Sequence, residues 1–304
     1  MSQRSATRCW LRTAGLVSLS IAWGCASLAA TAQPGADPAA ALLSRYAALQ
    51  GRLEHSAFPQ HLYVESVEGS GASQGDVYAV IHYPIATVRS AFSGPAQWCD
   101  VLILHLNVKY CHPVARDERT VLSVAIGRKH DQPLSSASRV EFLYSIATPR
   151  PDYLDVELRA RNGPVGTGHY RIALEAVGLE NDRALVHLRY SYTYGSAGRL
   201  AMQMYLATTG SDKVGFTVIG DPNSPRPEFI GGVRGAIERN TMRYYLAIDA
   251  YLGALAAPAP ERFERSLERW FDATELYPRQ LHEVDRDDYL AMKRREYQRQ
   301  QTIQ

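Results

Sequence analysis

Few side chains in this sequence are spaced for chemistry, and the clearest are a cysteine pair. Cys99 and Cys111 are separated by eleven residues, with His105 and His112 close by. In an oxidising compartment such a pair reads as a disulfide closing a short loop. The competing reading is a metal site that recruits the two histidines. The spacing matches none of the paired-ligand patterns of zinc sites, so the disulfide is expected and no metal is.

The other histidines give less. His82, His169 and His187 could act as bases, but all three fall in or beside predicted strands, where an exposed or hydrogen-bonded residue is the simpler reading. "GPVGTG", residues 163–168, has spaced glycines but lies between two strands, with no helix to receive a phosphate. No nucleophile elbow in a strand-to-helix setting and no helical pair of zinc histidines occurs. "HEVDRDD", residues 282–288, lacks the spacing and the glycine of a calcium loop. Net charge is only +2, and the basic run Lys293, Arg294, Arg295 and Arg299 reads as a solvated face. Neither argues for nucleic acid.

Tyrosine is the unusual component, with 18 copies against 7 phenylalanines. A tyrosine offers a wide apolar body and one polar tip, which suits a greasy pocket with a few anchors.

The elements that must position these residues follow in order along the chain. The start carries Arg4, Arg8 and Arg12, then "AGLVSLSIAWGCASLAA" and the small-residue site Ala30-Thr31-Ala32. This predicts a signal peptide over residues 1–32, cleaved after Ala32, and a periplasmic or secreted protein. Lipidation at Cys25 is the competing fate of that segment. Residues 33–59 read as a linker and an N-terminal helix. Two strands follow, and Pro84 and Pro95 then start two short helices. From 120 to 219 the chain reads as strands, including "DKVGFTVIG" near the end. In "ALVHLRYSYTYG", Val186, Leu188, Tyr190, Tyr192 and Tyr194 share one face, while His187, Arg189, Ser191 and Thr193 share a wet one. "SAGRLAMQMYLATTG" reads as an extended loop or a further strand. "EFIGGVRGAIERNTMRYYLAIDAYLGAL" predicts a long helix with a single apolar stripe. Residues 257–304 read as a charged helical extension, packed on the domain or touching a membrane surface or a partner protein.

Strand, two short helices, an antiparallel meander and one long helix form a recognisable order. The chain resembles the START-like superfamily of lipid-transfer and polyketide-cyclase-type proteins over about residues 60–256. The resemblance is carried by "VYAVIHYPIATVRSAFSGPAQWCDVL", by "GTGHYRIALEAV" and "ALVHLRYSYTY", and by "FIGGVRGAIERNTMRYYLAIDAYL". It implies an α+β helix-grip fold, in which a curved antiparallel sheet wraps around a long C-terminal helix, here with an extra helical tail. It also implies an apolar ligand held between sheet and helix.

Strand parity places Leu122, Val124, Ile126, Val140, Val214 and Val218 inside, together with the expected ligand contacts. Those contacts are Phe142, Tyr144, Tyr170, Ile172 and Leu188, then Tyr190, Tyr192 and Phe216, with Ile237 and Tyr244 from the long helix. The function expected is binding, and transfer, of a lipid or other hydrophobic small molecule, with no catalytic residue and no cofactor. Two other readings stand beside it. One is a cyclase-like enzyme acting on a polycyclic substrate in the same cavity. The other is a structural or assembly protein of the cell envelope.

Overall fold

Prolines and a capping aspartate set the boundaries of the first elements. The computed structural model describes residues 37–302, apart from 148–149, 209, 222–223 and 225. Asp37–Gln304 forms a compact unit of its own. The expected leader and Cys25 lie outside the described residues. Helix α1, Pro38–Glu54, begins where the Asp37 carboxylate accepts from the Ala39 amide at 3.1 Å, with Pro38 in the first turn. Strands β1, Leu62–Gly69, and β2, Ala72–Ile81, form a hairpin. Pro84 then caps α2, Ile85–Phe92, and Pro95 opens α3, Pro95–Leu102.

Six more long strands follow in sequence: β3, Val108–Arg116; β4, Arg119–Ile126; β5, Ser138–Ile146; β6, Tyr153–Asn162; β7, Thr167–Leu179; and β8, Arg183–Tyr194. All pair antiparallel in one sheet of order β1-β2-β8-β7-β6-β5-β4-β3. Helix α5, Gly232–Ala254, lies across β1, β2 and β8 on the inner face, and α2 and α3 close the same side. Cys99 on α3 and Cys111 on β3 are joined as a disulfide, with Cα atoms 5.1 Å apart. Their sulfurs are therefore bonded to each other rather than available to a metal.

The structure corrects several expectations. "SAGRLAMQMYLA" is helix α4, Ser196–Ala207, not a loop or strand. Gly195 ends β8, and the Ala, Leu, Met and Gln that follow are good helix formers. In "DKVGFTVIG" only Val218–Ile219 is extended, as β9, paired with β10, Glu228–Phe229. The segment before it is held by side chains instead: the buried Glu238 carboxylate on α5 accepts from the Phe216 and Thr217 amides at 2.6 and 2.9 Å. Val214 and Val218 are consequently half-buried rather than inside, as are Ile126 and Tyr144.

Two faces expected to be wet are covered. Helix α1 packs Leu42, Leu49 and Leu53 onto Tyr78, Val80, Val177 and Leu185 of the outer face, burying His187 with them. Helix α5 is buried nearly all round, not on one stripe, so Glu238, Arg239 and Arg243 are interior.

The C-terminal extension supplies part of that cover. It comprises α6, Arg262–Glu275; α7, Pro278–Leu281; and α8, Arg286–Thr302. Trp270 of α6 donates to the Arg243 carbonyl at 3.1 Å, and Tyr289 of α8 donates to the Leu104 carbonyl at 2.9 Å. Lys293 is fully buried, Arg294 bonds Glu264 and Arg295 bonds Asp131. Of the run expected to be a solvated basic face, Lys293 is therefore interior, while Arg294 and Arg295 stay exposed and form surface ion pairs.

Candidate functional site

The inner face of the sheet is tightly packed at one end and hollow at the other. Val186, Leu188 and Leu174 are completely buried in the core cluster. Toward the far ends of β7 and β8 the inward residues become tyrosines, and a hollow of about 260 Å³ opens beside them. Tyr170, Tyr190 and Tyr192 form its sheet wall. Asn240 of α5 and Thr167 at the start of β7 add polar atoms. Helix α4 is the roof, presenting Ala201, Met202 and Tyr205.

Local sequence explains the roof. Gly198 is buried where α4 crosses the Pro164–Gly166 turn; a Cβ there would lie 2.9 Å from Tyr194 Cβ and 3.4 Å from the Gly166 carbonyl. The "GPVGTG" motif therefore makes a seat for a helix. At the other end of α4, Tyr205 accepts from Arg239 Nη2 at 3.2 Å, and Lys129 stands 5.5 Å from its ring centroid. Lys129 and Arg243 both bind Glu283, at 2.6 and 2.7 Å, so the C-terminal extension helps close this end of the site.

The tyrosines contact one another directly. Tyr170 stacks on Tyr192 with centroids 5.4 Å apart, and Tyr190 stands 5.8 Å from Tyr192. Tyr244 backs Tyr190 at 5.2 Å and stacks on His105 at 4.5 Å. Phe142 meets Tyr170 edge-on at 6.4 Å. The Tyr170 hydroxyl shares a hydrogen bond with Thr167 Oγ1 at 2.8 Å. Burial raises the pKa of Tyr170, Tyr190, Tyr192 and Tyr244, so these phenols stay neutral and serve as hydrogen-bonding anchors, not bases. Tyr205 shifts the other way. Burial opposes its ionisation, but the charges of Lys129 and Arg239 outweigh that and lower its pKa. His105 is held neutral by burial and by the surrounding Arg243 and Lys293.

The ten expected ligand contacts are therefore divided. Tyr170, Tyr190 and Tyr192 line the hollow, with Phe142 and Tyr244 directly behind them. Ile172, Leu188 and Ile237 lie in the packed core. Tyr144 donates to the Ser93 carbonyl at 2.7 Å, and Phe216 packs with Phe58 and Tyr277, both away from the hollow's lining. Sequence reasoning did not single out Met202 as a contact, and it missed Tyr205, Asn240 and Lys129. A polar Asn240 within the buried α5 run was the signal that could have been used. Among the described residues, no group of three or more His, Cys, Asp or Glu is placed to hold a metal ion.

No family model matches the chain, and no curated protein matches it. Among solved structures, human StAR-related lipid transfer protein 5 is 10% identical with a TM-score of 0.31, the match covering 55% of this chain and 89% of that one. The Zhui aromatase/cyclase from Streptomyces sp. R1128 is 10% identical with a TM-score of 0.30, covering 46% and 74%. Norcoclaurine synthase from Thalictrum flavum is 12% identical with a TM-score of 0.30, covering 49% and 80%. Likenesses this loose say nothing of ligand or activity. Strand order and the crossing of α5 decide the fold instead. The fold is a helix grip. In this helix grip the long helix is itself enclosed, by the sheet on one side and by α6 on the other.

Proposed function

We propose that this protein binds an apolar small molecule, or one apolar arm of a lipid, in the hollow beneath α4, and does so without chemistry. The observation that carries this is the tyrosine-walled hollow of about 260 Å³ under a separate short helix. That volume is below the common range of about 300–1,000 Å³ for ligand pockets, so it suits a ring system or a short acyl segment. A longer chain requires α4 to lift. Each methylene taken from water contributes about 0.8 kcal/mol, and neutral phenols with Asn240 orient any polar group. The signal-like start of the chain favours action in the periplasm or outside the cell.

Two measurements test this. Native mass spectrometry of the protein taken from the envelope of its own cells should show a co-purified apolar molecule that organic extraction removes. N-terminal sequencing of that material should begin at Gln33. A protein of bare chain mass that also fails to take up apolar probes would end the binding reading.

One observation favours the cyclase-like reading. Tyr205 faces the hollow with a lowered pKa beside Lys129 and Arg239, as an acid–base group would. That reading requires turnover of a polycyclic substrate that Tyr205→Phe abolishes while substrate binding persists.

A further inference from the structure

Tyr170 separates two hollows. On the inner side its ring lines the hollow beneath α4. With Ala160 it also borders a second hollow, a groove of about 620 Å³ walled mainly by outward-facing side chains of the sheet. The groove exists because two neighbouring strands part. β5 pairs with β4 from Ser138 to Tyr144, and β6 pairs with β7 along nearly all its length. Between β5 and β6 the pairing runs only from Leu143↔Arg159 to Ile146↔Val156. Beyond that no ladder joins the two strands, and there the Tyr170 ring of β7 borders both hollows and meets Phe142 of β5 edge-on. It lies so near Gly163 that a Cβ there would sit 2.2 Å from Tyr170 Cε2.

The walls of this groove are cationic. Arg159, Arg161 and Arg171 face it, with His169. Arg159 and Arg171 share one carboxylate, Glu157, and the groove's own acid, Glu141, is bound at 2.7 Å by Arg116. The side chains of Arg161 and His169 have no hydrogen-bond or ion-pair partner among the described residues. His169 holds φ +48° at the register shift between Gly168 and Arg171, a bulge that re-aims its side chain. Three arginines line the groove against one carboxylate, Glu141, which is itself taken by Arg116, so the groove keeps an unmatched positive charge beside an apolar hollow.

We propose that the groove holds the anionic group of an amphiphile whose apolar body occupies the hollow beneath α4, the Tyr170 ring turning aside between them. The ligand class is then an apolar chain or ring system bearing a carboxylate or phosphate. This rests on the binding reading above and adds the charge that selects the ligand. A guanidinium recognises such a group with paired hydrogen bonds, and Arg161 is free to supply them.

Calorimetric titration of the mature protein with decanoate, decanol and acetate tests it. Decanol reports the hollow alone, and decanoate adds the anion. Decanoate should bind about tenfold or more tightly than decanol, the effect of a charge-assisted hydrogen bond. Arg161→Gln with Arg159→Gln should bring decanoate down to the decanol level and leave decanol unchanged. Acetate should bind far more weakly than decanoate. Equal binding of decanol and decanoate, or an unaffected double variant, overturns the anion groove and leaves the hollow standing. Acetate or inorganic phosphate binding as tightly as decanoate would make the groove a free-anion site and overturn the coupling to the hollow. Binding of neither ten-carbon probe overturns both readings.

Discussion

Tyr78 lies flat against His187, their ring centroids 4.2 Å apart and their planes within 3° of parallel. Tyr78 thereby covers the central member of an ion cluster on the outer face of the sheet. His187 Nε2 is 2.7 Å from Asp76, its Nδ1 is 2.9 Å from Glu175, and Arg189 donates to Asp76 at 2.8 Å. Burial disfavours the imidazolium, but the hydrogen bonds to Asp76 and Glu175 outweigh it and raise the His187 pKa. Burial likewise opposes ionisation of both acids, yet their bonds to His187, with Arg189 for Asp76 and Tyr153 for Glu175, lower their pKa values.

Stability should therefore depend on pH through this cluster. The imidazolium contributes fully below the unfolded histidine value of about 6.5, and its contribution is lost as pH rises through the raised folded value. The two carboxylates contribute above their unfolded values of about 4, and are lost as pH falls through their depressed folded ones. The urea midpoint should thus be highest between those limits and decline on the alkaline side. His187→Gln should cost about 3 kcal/mol, by leaving Asp76 short of a partner, and should flatten the alkaline decline. An alkaline decline of the same size in the variant would remove His187 as its cause.

The C-terminal extension should prove inseparable from the domain. Glu296 lies between Lys109 at 3.0 Å and Lys293 at 2.7 Å, all three fully buried. Glu296→Gln leaves two buried ammonium groups without a counter-charge, at a cost of about 3–5 kcal/mol in urea unfolding. Burial already pulls the Lys293 pKa down to about 8, so the variant should recover part of the loss in alkaline buffer, where that amine sheds its proton. Ending the chain at Ala257 should abolish cooperative unfolding, because Trp270 and Tyr289 leave the core with it. A sharp transition in that shortened chain would show that the sheet and α5 suffice.

Reduction should weaken the fold without abolishing it. The Cys99–Cys111 bond ties α3 to β3 across a short loop, and closing a loop of that size is worth about 3 kcal/mol in the chain-entropy model. Double substitution to alanine should lower the unfolding free energy from denaturant titration by that amount, and dithiothreitol should then have no further effect. A reductant effect on the double variant would point to another cause.

How much of this was legible depended on whether the relevant contacts were local. The alternation from Val186 to Tyr194 revealed the inner tyrosine row, because strand parity is fixed by the backbone. Parity could not tell that α1, from far away in the chain, would cover His187, nor that Leu188 would be packed core while Tyr190 borders a hollow. Met202 and Met204 looked like strand alternation but lie on a helix, where Leu200 and Met204, four apart, are both exposed. The helices of the extension were readable. Their role in the core was not, since Lys293 and Glu296 have the composition of a surface.

Gly75 sets how closely α5 approaches β2. A Cβ at that position would lie 2.3 Å from Thr241 Oγ1, a hydroxyl already bonded to the Ile237 carbonyl at 2.8 Å. Gly75→Ala should therefore overpack the contact and cost about 1–3 kcal/mol. Thr241→Ala removes the clashing hydroxyl and should restore part of that loss, giving a coupling energy in a double-mutant cycle. Additive losses would mean that the helix shifts freely at this crossing.

The roof of the hollow offers the most direct test of the site. Met202 projects from α4 into the hollow, whereas Leu200 is largely exposed on the same helix. Met202→Trp should fill the space from above with little change in stability, since the residue is only half-buried and the hollow can accept the added volume. Uptake of an apolar fluorescent dye should then fall about tenfold or more, as expected when only a few methylene-sized contacts are lost. Leu200→Ser, on the outward side, should leave dye affinity unchanged. If both variants bind dye as the parent does, the dye is not under α4, and the ligand site must be sought elsewhere on the sheet.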